Sequence, residues 1–73
     1  MTYKNLKYRA DWMDSNDELE VFKGTYLQCC AKARKMSEIF ESAYVVATNR
    51  VGSDVGEVSY WQGVRVEVNG RIT

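Results

Sequence analysis

Hydrophobic and polar residues alternate over residues 3–13, in the pattern of a strand that is buried on one face. The apolar or aromatic positions of this segment are Leu6, Tyr8, Ala10 and Trp12. The intervening positions are Tyr3, Asn5, Lys7, Arg9 and Asp11. Because successive side chains of a strand point to opposite faces, the pattern predicts a strand with a charged outer face. Turn-forming residues at 14–17 and a short apolar segment at 19–23 complete a predicted hairpin.

One helix is predicted, beginning after Gly24 and ending at Phe40 or Glu41. Thr25 has the chemistry of an N-cap, and Gln28, three residues later, completes a capping box. The side expected to face the core carries Tyr26, Cys29, Cys30, Ala33, Met36, Ser37 and Phe40. The side expected to face outward carries Gln28, Lys32, Lys35 and Ile39.

The C-terminal part of the chain predicts three further strands, at residues 43–48, 58–61 and 64–68. Residues 49–56 are expected to form a loop, and Gln62-Gly63 fits a two-residue hairpin turn. In the last strand the valines at 64, 66 and 68 are predicted to point inward, with Arg65 and Glu67 outward. The resulting order, β-β-α-β-β-β, predicts one α+β domain over residues 1–73. It consists of a single antiparallel sheet of about five strands with one α-helix packed on one face. The other face is expected to be open, with Tyr3, Lys7, Arg9 and Trp61 on it.

Composition narrows the possible chemistry. The 73 residues include no histidine and two cysteines, and ten basic residues balance ten acidic ones. Without an imidazole there is no Ser-His or Cys-His pair, and two thiols cannot complete a structural zinc site. The side chains of neighbouring helical residues point about 100° apart, so Cys29 and Cys30 are expected to be free, buried thiols. We therefore expect no metal and no cofactor, and a reducing compartment.

The ends of the chain and its hydropathy favour a cytoplasmic protein. No signal peptide and no run of 18 apolar residues is visible, and the sequence begins with Met1. From this we expect a complete small gene product that does not contact a membrane.

An acidic segment is the one candidate for catalysis. Asp14, Asp17, Glu18 and Glu20 lie close together in sequence, but they fall in a predicted hairpin loop where a solvated cluster is the more common role. The segment also lacks the spacing of a calcium loop. We therefore predict that the protein is not an enzyme.

Charge and aromatic residues leave two binding functions open. Residues 1–9 hold three basic and no acidic residues, whereas residues 11–20 hold five acidic and no basic ones. Such segregation provides complementary patches for a protein partner. Basic residues beside aromatic ones could alternatively hold single-stranded nucleic acid. The candidate partner-binding residues are Lys7, Arg9, Lys32, Lys35 and Trp61. Whether the chain acts as a monomer or a homodimer stays open.

Three segments carry a resemblance to a known group of proteins. They are Lys23-Gly24-Thr25, Ala31-Lys-Ala-Arg-Lys-Met36 and Val58-Ser-Tyr-Trp-Gln-Gly-Val64. With the order of elements and the small size, they make the chain resemble the compact anti-CRISPR inhibitors encoded by phages, in particular a type I-F inhibitor. The resemblance implies a phage protein that evades host defence by binding a larger host protein or ribonucleoprotein complex, such as a Cas protein, without catalysis. Many of these inhibitors are acidic mimics of DNA. The zero net charge departs from that pattern and favours steric blocking.

Overall fold

The computed structural model describes residues 6–72. The elements are β1 (Lys7–Met13), β2 (Leu19–Gly24), α1 (Tyr26–Phe40), β3 (Ser42–Thr48), β4 (Asp54–Trp61) and β5 (Val64–Gly70). The strands form one antiparallel sheet in the order β2-β1-β3-β4-β5, and α1 packs on one of its faces. The predicted α+β class and the predicted order of elements are confirmed. The predicted start of the first strand, including Tyr3, lies outside the described residues.

Small side chains allow the helix to lie close to the sheet. Ala10 of β1, Ala33 of α1 and Ala43 of β3 are all fully buried where these elements meet. The core around them consists of Trp12, Cys29, Cys30, Met36, Val45, Val58 and Tyr60. The predicted inner side of the helix is confirmed, because the buried residues of α1 all belong to it.

The helix begins with the predicted capping box. The Gln28 N–H donates to the Thr25 hydroxyl over 3.1 Å, and the Thr25 N–H donates to the Gln28 side-chain oxygen over 3.0 Å. These two bonds satisfy backbone donors that the first turn cannot pair internally. No helix in the described part of the chain is long and apolar enough to cross a bilayer.

The chain after β5 folds back beneath β4 and closes one end of the core. The Tyr8 hydroxyl donates to the Ile72 carbonyl over 2.8 Å. A side chain at Gly56 would collide with the Arg71 carbonyl and the Ile72 side chain, so glycine at this position lets the segment pass.

The strand β4 begins earlier than the sequence predicts. Asp54 and Gly56, which were expected in a loop, pair with Thr48 and Ala47 of β3 across an irregularity in the register. The loop itself is short because the Asn49 side chain accepts the N–H groups of Val51 and Ser53, which closes a tight turn.

The predicted orientation of β5 is confirmed only for its second half: Val68 pairs with Val58 on the helix side and Glu67 with Ser59 on the other face. It is wrong before the bulge, where Val64 lies on the face opposite the helix and Arg65 on the helix side. The valines at 64, 66 and 68 are 60%, 57% and 45% exposed. Val66 is the extra residue of a β-bulge, because Ser59 pairs with Glu67 and Tyr60 with Arg65. The bulge interrupts the alternation of side chains, so Arg65 lies over the Tyr60 ring on the helix side. In addition, the helix packs mainly over β1 and β3, so it leaves β5 largely uncovered.

Candidate functional site

The sheet face opposite α1, here called the open face, carries exposed apolar side chains at one end. Cross-strand pairing sets Met13 beside Leu19, places Val21 and Tyr44 on either side of Asp11, and sets Trp61 beside Val64. These six apolar side chains are between 37% and 63% exposed. Together they form the apolar end of the open face. Clustered exposed apolar side chains of this kind mark interaction surfaces.

The opposite end of the open face is charged. Arg9 pairs with Lys23 on one side and with Val46 on the other, and Val46 in turn pairs with Glu57. The Arg9 guanidinium lies 3.2 Å from the Asp11 carboxylate and 3.5 Å from that of Asp54. Arg9 is therefore held within the fold, and its charge is compensated.

The five candidate residues named from the sequence lie on two opposite layers. Lys7, Arg9 and Trp61 are on the open face, as predicted, whereas Lys32 and Lys35 are on the helix. A single flat partner cannot contact both sets.

The predicted outward position of Lys32 is wrong. Its ammonium lies 5.5 Å from the centre of the Phe22 ring and 5.9 Å from that of Trp12, so it borders the interface between α1 and the β1–β2 hairpin. This cation–π contact stabilises the fold and leaves less of Lys32 for a partner.

Sequence reasoning missed most of the apolar end of the open face. Met13, Leu19, Val21, Tyr44 and Val64 were not among the candidates. The sequence of residues 19–23 could have revealed this surface. In a strand Leu19 and Val21 point to one face and Phe22 to the other, so this strand has apolar side chains on both faces. Since only one face packs against the helix, one of the two sets had to be exposed.

Three of the four acidic residues at 14–20, in and beside the turn between β1 and β2, lie close together. Carboxylate oxygens of Asp14, Glu18 and Glu20 lie within 4.8 Å of one another. The Asp14 carboxylate accepts the N–H groups of Asn16 over 2.8 Å and Glu18 over 3.0 Å. These bonds lower the pKa of Asp14, with the Glu18 N–H as the larger cause. They give Asp14 a structural role in closing the turn.

Both thiols are free and buried, as predicted. The Cys29 sulfur lies 3.7 Å from the Gly24 carbonyl oxygen at the start of the helix. Burial raises the pKa of the Cys29 thiol, which disfavours the reactive thiolate.

Comparisons of the chain with protein-family models, with curated proteins and with solved structures give no match. The open face is therefore interpreted from the chemistry of its own residues.

Proposed function

We propose that this chain is a small non-catalytic inhibitor that binds a larger protein complex through the open face of its sheet. The observation that carries the proposal is the apolar end of the open face, where Trp61 and Tyr44 stand among exposed aliphatic side chains. Tryptophan and tyrosine are enriched at the energetic centres of protein interfaces. The charged end beside them supplies side chains of both signs, which would fix the orientation of a protein partner.

The resemblance to anti-CRISPR inhibitors extends this proposal to a partner class. The partner would be a host defence complex in the host cytoplasm, such as a Cas protein or the ribonucleoprotein that contains it. The inhibitor would act by steric blocking, because the open face carries acidic and basic groups side by side and does not imitate the uniform charge of DNA.

Single-stranded nucleic acid is the second candidate. Lys7 and Lys23 share the open face with the aromatic rings of Tyr44 and Trp61, which is the combination that single-strand binding uses. The salt bridges of Arg9 to Asp11 and Asp54 count against it, because they place carboxylates where phosphates would lie.

The test is recovery of a Cas complex from lysate of a bacterium with a type I-F system. Tagged protein is incubated with the lysate with and without nuclease, and bound proteins are identified by mass spectrometry. The variant Trp61→Ala is compared with Ile39→Ala, which removes an exposed apolar side chain from the helix instead.

We expect nuclease-resistant recovery of Cas proteins that Trp61→Ala abolishes and Ile39→Ala retains. Tight binding of bare single-stranded DNA or RNA at physiological salt, with a steep salt dependence and no protein recovered, would instead establish the second candidate.

A further inference from the structure

A basic groove lies between the helix and β5, on the side of the molecule away from the open face. It is a shallow surface groove with a volume of about 430 Å³, and its lining includes Arg34, Lys35, Tyr60 and Arg65. The guanidinium carbon of Arg34 is 5.6 Å from the centre of the Tyr60 ring, and that of Arg65 is 6.0 Å from it. Both arginines therefore lie near the ring of Tyr60, a residue of β4 that pairs with β5.

Neither arginine has a carboxylate partner among residues 6–72. The only ion pairs within 4 Å in that part of the chain are those of Arg9. Within the described residues, the hydrogen-bond partner of the Arg65 guanidinium is the Tyr60 hydroxyl, at 3.5 Å. Of the described residues that line the groove, Glu38 is acidic, whereas Arg34, Lys35 and Arg65 are basic. The groove therefore has an excess of positive charge that a negatively charged group would compensate.

The strand beside this groove is an open edge of the sheet. Within the described residues β5 pairs only with β4, and all seven of its residues are exposed. It contains three valines and neither proline nor lysine, and its protection as an edge is limited to the bulge at Val66 and the charged side chains of Arg65 and Glu67. On either side of the bulge, the outward N–H and C=O groups of β5 have no strand partner in the described part of the chain and are available to a further strand.

We propose that β5 accepts an extended segment of a partner protein as a sixth strand, with acidic side chains of that segment lying against Arg34 and Arg65. Main-chain hydrogen bonds to β5 would supply affinity, and the two guanidiniums would select for carboxylates. This surface is separate from the open face, and the proposal does not rest on the function proposed for that face.

Charge favours such a partner over a second copy of this chain. Antiparallel pairing of two β5 strands places a twofold axis perpendicular to the sheet, so both helices come to the same side. The arginines of both copies would then line one continuous groove, where like charges repel. An acidic segment meets no such repulsion.

The test uses three synthetic probes and needs no knowledge of the natural partner. The first probe is a hexapeptide of alternating valine and glutamate, blocked at both ends. In the second, lysine replaces glutamate, and in the third, every backbone nitrogen of the first is methylated. Binding is followed by fluorescence anisotropy of the labelled peptide and located by backbone amide NMR shifts.

We expect the glutamate peptide to shift the amides of β5, with the lysine and methylated peptides binding about tenfold more weakly or not at all. Arg34→Ala and Arg65→Ala should each weaken the glutamate peptide about tenfold, and added salt should weaken it further. Lys23→Ala removes the same charge from the open face and should leave the affinity unchanged.

Three results would overturn the proposal. One is equal binding of the lysine peptide, and another is the absence of any β5 shift at millimolar glutamate peptide. The third is a dimer in sedimentation whose β5 amides are protected without peptide, because a second copy would then occupy the edge. The NMR spectrum of each variant shows directly whether it is folded.

Discussion

The backbone N–H of Gly63 donates a hydrogen bond to the hydroxyl of Ser37 over 2.8 Å. The same hydroxyl donates to the Arg34 carbonyl one turn earlier in the helix, also over 2.8 Å. Ser37 is fully buried, and a side chain at Gly63 would collide with Glu38. This contact anchors the turn of the β4–β5 hairpin to the helix and so positions β5 beside the groove.

Replacing Ser37 by alanine should therefore destabilise the protein although it removes a single oxygen atom. The Gly63 N–H loses its acceptor at a partly buried position, and we expect a loss of about 1–3 kcal/mol in the free energy of unfolding. Urea denaturation followed by circular dichroism measures it. Ser59→Ala, on the open face, is the matched control and should have a much smaller effect. Equal stabilities of the two variants would contradict a structural role for the Ser37 hydroxyl.

Alanine at Gly56 should cost more stability than alanine at Gly52. At Gly56 the added methyl group meets the Arg71 carbonyl, so the segment that carries Ile72 must move away from Tyr8. Gly52 has nothing within 4 Å, but its φ of 88° is unfavourable for alanine. We expect about 1 kcal/mol for Gly52→Ala and at least about 2 kcal/mol for Gly56→Ala, from thermal or urea denaturation. A reversed order would show that the C-terminal segment does not pack as described.

Acid should weaken the fold in part through Asp14. Hydrogen bonds from the Glu18 and Asn16 N–H groups lower the pKa of Asp14 below its ordinary 3.8. A carboxyl with a lower pKa in the folded state stabilises the fold above the unfolded-state pKa, and this contribution is lost as the pH falls through the folded-state pKa.

The measurement is the free energy of unfolding by urea between about pH 6 and about pH 2.5. We expect Asp14→Asn to reduce the acid-induced loss. Asp17→Asn is the control, since Asp17 accepts neither of the two N–H groups, and it should retain the loss. If Asp14→Asn lost stability on acidification as steeply as the unmodified protein, the hydrogen bonds to Asp14 would not carry the effect.

Local patterns were sufficient to predict most of the fold. The alternation around Tyr8, Ala10 and Trp12 identified the buried face of β1, and Thr25 with Gln28 located the start of the helix, because both signals depend on neighbouring residues alone. The Gln62-Gly63 turn was likewise predicted, and both residues have the positive φ that a tight hairpin needs, 50° and 85°.

The orientation of β5 at Val64 and Arg65 could not be predicted in the same way. It depends on how far α1 reaches across the sheet and on the bulge at Val66, and neither property is local. Dependence on non-local packing also explains why the five candidate residues were assigned to one binding surface although they lie on two. Lys35 and Lys7 are both basic and exposed, but only the strand order and the packing of the helix decide that they lie on opposite layers.

Cys29 should react slowly with alkylating agents in the folded protein. Its thiol is fully buried, and burial raises its pKa, so access and thiolate content are both low. In a Cys30→Ala variant, which isolates Cys29, we expect alkylation by iodoacetamide to be about a hundredfold slower without urea than with it. Mass spectrometry follows the reaction. Equal rates in the two conditions would mean that Cys29 is accessible in the folded state.

Replacing a lysine by glutamate on the sheet or on the helix should show which of these two layers contacts the partner. If the open face binds the partner complex, Lys7→Glu should slow association and alter its salt dependence, because Lys7 lies on that face. Lys35→Glu changes the net charge equally, but its side chain lies on the helix, so association should be unaffected.

Trp61→Ala should weaken the complex by about 2 kcal/mol or more, mainly through faster dissociation, if Trp61 lies at the centre of the interface. Surface plasmon resonance with the recovered complex immobilised measures association and dissociation separately. An effect of Lys35→Glu without one of Lys7→Glu or Trp61→Ala would move the interface to the helix. In that case the apolar end of the open face would need another explanation, since clustered exposed apolar side chains mark interaction surfaces.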